Sequence, residues 1–236
     1  MKLILSKDYR DMSRKAANVI SAQVILKENS VLGLATGSTP IGAYKQLIEW
    51  YRKGDVSFKS AVTVNLDEYC GLPTGHEQSY LSFMKANFFD HIDLDPKNAH
   101  LPNGLAKDVE VECDAYDTLI ESLGGIDLQL LGIGPNGHIG FNEPDEQFVM
   151  KTHRVRLSDM TRSANARFFG NDPGNVPEFA VTMGMRHIMQ AKKILLIANG
   201  AQKLAVIDRA LNGPVTPRLP ASLLQLHPDL TVIVSE

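Results

Sequence analysis

The feature that most constrains this chain is a set of short, mostly apolar runs that never alternate cleanly with polar residues. They cover residues 3–5, 31–35, 61–66, 126–133, 194–198 and 230–234. A strand with one wet face alternates with period two, whereas a strand covered on both faces need not, so these runs predict a parallel sheet sandwiched by helices. Between them, Met12, Ala16, Val19, Ile20 and Leu26 keep one face of a helix, as do Tyr80, Leu81, Met84 and Phe88, and Leu204, Ile207 and Leu211. The expected fold class is α/β, a Rossmann-like open, mainly parallel sheet with helices on both faces. No repeat or linker interrupts residues 1–236, which reads as a single domain, and Asn171-Asp172-Pro173-Gly174-Asn175 marks a long surface loop.

Composition narrows the function. A net charge of -3, with Lys and Arg scattered, supplies no basic patch for nucleic acid. Two cysteines, Cys70 and Cys113, are too few for a disulfide framework or a zinc site and favour a reducing compartment. The start, Met1-Lys2-Leu3-Ile4-Leu5-Ser6, is too short in apolar residues for a signal peptide, and no run approaches the roughly 18 of a membrane span. A cytoplasmic protein with a small-molecule partner, no nucleic acid and no membrane is expected.

In open parallel sheets ligands bind beyond the carboxyl ends of the strands. After the second run stands Thr36-Gly37-Ser38-Thr39-Pro40, where hydroxyls, a glycine and a helix start suit phosphate, with Ser38 or Thr39 expected as the N-cap. It is no Walker loop, since Gly-Lys-Ser/Thr is missing. The third run delivers Asn65-Leu66-Asp67-Glu68-Tyr69; in an extended backbone the two carboxylates point apart, so one faces the site as a candidate base while the other caps a turn or pairs with a cation. After the fourth come Gly132, Gly134 and Gly137 at dinucleotide spacing, but Pro135 and the residues after His138 do not make the helix that seats a pyrophosphate. Proton transfer suits this segment better: His138 is the shuttle, and Asn136 and Glu143 fix its orientation. The seven histidines show no metal-ligand spacing, so no metal is expected. Arg167 and Lys203 stand at loop edges, and a lysine in the first turn of a helix points to an anionic partner.

Taken together, Leu34-Ala35-Thr36-Gly37-Ser38-Thr39-Pro40, Asn65-Leu66-Asp67-Glu68-Tyr69, the run from Gly134 to Pro144 and Ser222-Leu223-Leu224-Gln225-Leu226-His227-Pro228 closely resemble the glucosamine-6-phosphate deaminase family. The resemblance implies conversion of glucosamine 6-phosphate and water to fructose 6-phosphate and ammonia, in amino-sugar catabolism, without metal or redox cofactor. It implies Asp67 as the base moving a proton between C2 and C1, His138 as the ring-opening group with Glu143 and Asn136 completing its relay, and Gly37, Ser38, Thr39, Arg167 and Lys203 as phosphate ligands.

Some relatives carry aspartate where this chain has Asn136, and asparagine orients the histidine without adding charge. Longer, hexameric relatives respond to N-acetylglucosamine 6-phosphate, but His153 and Val155 stand where those use basic residues, so a non-allosteric monomer or small homo-oligomer is expected. Residues 146–177, rich in charge, Gly and Asn, are expected to form a lid carrying Arg167. Two alternatives remain. The 6-phosphogluconolactonases share the fold but continue differently after the histidine, where this chain reads Phe141-Asn142-Glu143-Pro144, and a sugar-phosphate-binding regulator would keep the pocket without the chemistry.

Overall fold

The computed structural model describes residues 1–236. In chain order the elements are β1 (Lys2–Ser6), α1 (Tyr9–Leu26), β2 (Val31–Leu34), α2 (Ile41–Lys53), β3 (Val62–Asn65), β4 (Asp67–Tyr69), α3 (Tyr80–Asn87), β5 (Ala99–His100), α4 (Val109–Ser122), β6 (Leu128–Leu131), β7 (His153–Arg156), α5 (Asp159–Asn165), β8 (Phe179–Thr182), α6 (Met185–Gln190), β9 (Ile194–Asn199), α7 (Ala201–Asn212) and β10 (Leu230–Ser235). Seven strands form one sheet in the order β1-β10-β9-β6-β2-β3-β5, and every pairing in it is parallel. All residues of β2 and β6 are buried. Successive side chains point to opposite faces, so burial of all of them means that both faces are covered, as the unalternating runs predict.

β1 departs from that expectation. It is an edge strand, and Leu3 and Leu5 are 53% and 73% exposed because one of its faces has no helix over it.

The strand order places the ligand site. From β2 the chain steps outward to β3 and β5, then returns to the other side of β2 and steps away through β6, β9 and β10. β2 and β6 are neighbours, joined at Leu32 with Leu128 and Gly33 with Gln129, and their loops leave in opposite directions. A crevice opens at that switch point, beyond the carboxyl ends.

Four strands lie outside the apolar runs. β5 is a two-residue edge, and β4, β8 and β7 form a separate antiparallel sheet in that order. They escape the sequence reading because β7, His153-Arg154-Val155-Arg156, is polar, and β4 follows the third run directly, one residue after the end of β3. The small sheet has its own core of Tyr69, Phe141, Leu157, Ala166, Phe169, Val176 and Ala180. The expected loop at 171–175 contains a short 3-10 helix, Pro173–Asn175, capped by Asp172.

The N-cap expectation for Ser38 or Thr39 is overturned. Pro40 holds the cap position with helical dihedrals of φ -78° and ψ -11°, and makes no side-chain cap bond. A tertiary partner serves the helix end instead: the Tyr9 hydroxyl accepts from Gly42 N at 2.8 Å and donates to the Ser38 carbonyl at 3.0 Å. Ser38 and Thr39 are thereby left to line the crevice.

At the amino edge of the sheet one carboxylate ties four segments together. Asp127, 3% exposed, accepts from Val31 N at 2.8 Å, Lys27 Nζ at 2.6 Å and Lys192 Nζ at 2.8 Å. Burial works against its charge, but these donors outweigh it and hold the carboxyl below its ordinary range. A folded pKa below the unfolded value of about 3.9 gives stability that is present above that pH and lost as pH falls through the folded value. Asp127→Ala is expected to lower unfolding free energy at neutral pH by about 1–3 kcal/mol in urea titrations, and the difference from the unsubstituted chain should shrink in acid.

Candidate active site

Loops from four strand ends meet at the switch point around a crevice of about 770 Å³, within the range of about 300–1,000 Å³ of small-molecule sites. β2 contributes Thr36, Gly37, Ser38 and Thr39; the step from β3 to β4 contributes Leu66 and Asp67; the loop after β6 contributes Gly134 and His138; the turn into α7 contributes Asn199, Gln202 and Lys203. Arg167 arrives from a 3-10 helix, Ala166–Phe168, that continues α5.

The two adjacent carboxylates divide as the strand period requires. Glu68 accepts backbone N–H groups from Tyr69 at 2.9 Å, Tyr80 at 2.9 Å and Leu81 at 3.0 Å, so it closes the first turn of α3. Asp67 faces the crevice. Burial, and then the Glu68 charge, push its carboxyl well above the usual range. A carboxylate so destabilised as an anion is a strong base for its type.

The β6 loop turns tightly, with Gly134 N donating to the His138 carbonyl at 2.9 Å. The imidazole lies against the Gly134 backbone: a Cβ there would sit 2.2 Å from His138 Cε1. Behind it, Asn136 Nδ2 donates to Glu143 Oε2 at 2.6 Å, and the Asn136 side-chain oxygen accepts from His138 N at 3.2 Å. His138 Nδ1 faces the same Glu143 oxygen at 3.7 Å, too long for a direct hydrogen bond, and is buried without another partner. Glu143 Oε1 receives the hydroxyls of Ser158, at 3.2 Å, and Thr161. Burial raises the Glu143 carboxyl, but His138, Thr161 and Asn136 together outweigh it and hold it down at about 2. Glu143 is therefore ionised throughout the neutral range.

The far end of the crevice is cationic. Arg167 donates to Ser38 Oγ at 3.3 Å and Lys203 Nζ to the Ile133 carbonyl at 2.5 Å, and neither cation has a carboxylate partner. Burial, with the Arg167 charge second, lowers the Lys203 pKa. α7 begins at Gly200 with no side-chain cap and no acid in its first turn, so its positive end is also unneutralised. An anion bound here would relieve all three.

The sequence similarity is full-length. The family described as glucosamine-6-phosphate isomerases/6-phosphogluconolactonase matches residues 7–233. The chain belongs to that family. A glucosamine-6-phosphate deaminase of Lachnoclostridium phytofermentans is 66% identical, over 99% of this chain and 98% of that one, and another of Thermoanaerobacter pseudethanolicus is 52% identical, over 100% and 93%. The solved structure of a monomeric glucosamine-6-phosphate deaminase superposes with a TM-score of 0.97 at 45% identity, covering 100% of this chain and 98% of that one. A 6-phosphogluconolactonase of Thermotoga maritima reaches 0.74 at 20% identity, over 100% and 99%, a likeness of fold alone.

Within this glucosamine-6-phosphate isomerase fold, Gly37, Ser38, Thr39, Asp67, His138, Arg167 and Lys203 share one crevice, while Asn136 and Glu143 sit behind the histidine, outside its lining. No three His, Cys, Asp or Glu side chains are placed to hold a metal ion, and no helix is long and apolar enough to cross a membrane. The sequence does not point to Tyr9, Ser158 or Thr161, and it marks Tyr80, which lines the crevice, only as part of a helix face. Ser158-Asp159-Met160-Thr161 carries a visible N-cap signal, and Ser158 does cap α5, but nothing local points to its contact with Glu143. The close approach at Gly134 yields a test: Gly134→Ala should displace the imidazole and lower kcat on the order of a hundredfold, with the circular dichroism spectrum unchanged.

Proposed function

We propose that this protein deaminates and isomerises glucosamine 6-phosphate to fructose 6-phosphate and ammonia, with Asp67 and His138, which line one crevice, dividing the proton transfers. The observation that carries this reading is their placement, from separate loops, beside an anion site built from Ser38, Arg167 and Lys203. The phosphate is remote from the reacting carbons, so its binding orients the sugar. His138 passes a proton between the anomeric hydroxyl and the ring oxygen, opening the pyranose; ionised Glu143 favours the imidazolium that forms in passing, and Asn136 holds Glu143 in place. Asp67 then removes the C2 proton of the open aldehyde, giving an enolamine, and returns a proton to C1. The resulting imine at C2 takes up water and expels ammonia, leaving the ketose.

Ammonia release from glucosamine 6-phosphate, followed with a coupled assay, tests the reaction. Hyperbolic kinetics unaffected by N-acetylglucosamine 6-phosphate are expected, consistent with His153 and Val155 in β7; sigmoidal kinetics abolished by that compound would overturn the non-allosteric reading. Asp67→Asn should nearly abolish turnover while retaining substrate binding by calorimetry; full activity would remove Asp67 from the base role. Since the Asp67 carboxyl titrates above its ordinary range and acts when ionised, the acid limb of kcat/KM should lie above about 4.

Within the expected lid, 146–177, β7 is paired to β8, so the movable part in this reading runs from Ser158 to Val176. Arg162 braces it by donating to the carbonyls of Pro173 at 2.9 Å and Val176 at 3.2 Å, and the segment carries Arg167 to the phosphate. Amide hydrogen exchange there should slow when inorganic phosphate or substrate binds; equal exchange with and without ligand would count against a lid.

A further inference from the structure

Glu143 has two oxygens with different duties. Oε2 faces the catalytic side, toward Asn136 and His138. Oε1 faces the start of α5, where the Ser158 and Thr161 hydroxyls meet it and where Thr161 itself borders the crevice. Thr161 is 2% exposed and held on three sides: its N–H donates to Ser158 Oγ at 3.2 Å, its Oγ1 lies 3.0 Å from Ser158 Oγ, and it contacts the carboxylate. Each hydroxyl has one proton. Thr161 gives its proton to Glu143, and that of Ser158 serves either Thr161 Oγ1 or Glu143.

A carboxylate turns readily about its last torsion, which is broad and two-fold. Held only by Asn136, Glu143 would be free to turn Oε2 away from an imidazole that it does not yet touch. With Oε1 anchored by a buried hydroxyl, the plane is set and Oε2 is presented to His138 Nδ1, which has no other partner.

We infer that Thr161 is a positioning residue for ring opening: its hydroxyl orients the Glu143 carboxylate so that the second oxygen serves His138. Arg167 lies on the 3-10 turn that continues the same helix, so the group that orients the histidine relay and the group that meets the phosphate belong to one segment. The inference rests on the proposed ring-opening roles of His138 and Glu143.

Thr161→Val keeps the shape and removes the donor, and Thr161→Ser keeps the donor. On glucosamine 6-phosphate, Thr161→Val is expected to lower kcat on the order of tenfold while KM changes less than about twofold, and Thr161→Ser to restore kcat to within about threefold. A merely structural threonine would not distinguish backgrounds. If Thr161 acts through Glu143, then Thr161→Val added to Glu143→Ala should lower the residual rate by less than about twofold. Unchanged kcat in Thr161→Val, the same tenfold loss in the Glu143→Ala background, or failure of Thr161→Ser to restore activity would each overturn the inference. Should Thr161→Val not fold, as judged by circular dichroism, Thr161→Ala carries the same expectations. The unsubstituted enzyme is assayed first: absence of ammonia release defeats the proposed function, whereas normal release by both it and Thr161→Val defeats only the role of Thr161.

Discussion

The parallel pairing of β2 with β6 is the constraint on which the rest of the structure depends. These strands are joined at only two registered pairs, Leu32 with Leu128 and Gly33 with Gln129, yet they stand where the chain reverses its direction across the sheet. A crossover runs over the sheet toward the strand to which it leads. Here the two crossovers leave in opposite directions, and the carboxyl ends stay open. The hydroxyl loop after β2 and the histidine loop after β6 therefore face each other across a gap. Burial on both faces of these strands gives that gap rigid walls.

The small antiparallel sheet solves a second problem, the placement of a carboxylate in the crevice that the histidine also lines. β4 follows β3 after one residue and turns to pair with β8, so Asp67 begins a strand whose neighbours belong to another layer. Alternation along β4 then assigns the roles of two chemically similar acids. Asp67 is turned to the crevice and left without hydrogen-bond support that would stabilise its charge. Glu68 is turned inward and accepts three backbone N–H groups. The same sheet shelters the aromatic cluster of Tyr69, Phe141 and Phe169, on which the Arg167 segment rests.

Environment also separates Asp67, in the crevice lining, from Glu143, behind the histidine. Burial without support raises Asp67, whereas hydroxyl, amide and imidazole partners hold Glu143 at about 2 despite its burial. Two carboxyl groups with opposite displacements suit a reaction that needs a base at carbon and a permanent negative charge behind an imidazole. Asparagine at 136 fits this division, since it supports Glu143 by a neutral hydrogen bond and adds no second charge.

Much of this was legible in the chain because it is written in local pattern. The six apolar runs became six strands of the parallel sheet, and the segments after them carry Gly37, Ser38, Thr39, Asp67 and His138, since strand ends and glycine turns are local properties. The divergence of Asp67 and Glu68 followed from strand period alone. Other features depend on partners far away in sequence. Ser38 does not cap α2 because Tyr9, 33 residues before Gly42, already meets that helix end. The polar strand β7 exists because β8 offers it a ladder, and β1 lies exposed because no helix reaches its outer side. Thr161 meets Glu143 only once α5 has docked. The sequence by itself determined which residue types stand at which strand ends, since periodicity and turn chemistry act over a few residues. Only the tertiary structure decided which ends meet, which carboxylate is supported and which hydroxyl orients it, because those depend on contacts that exist only after the layers pack.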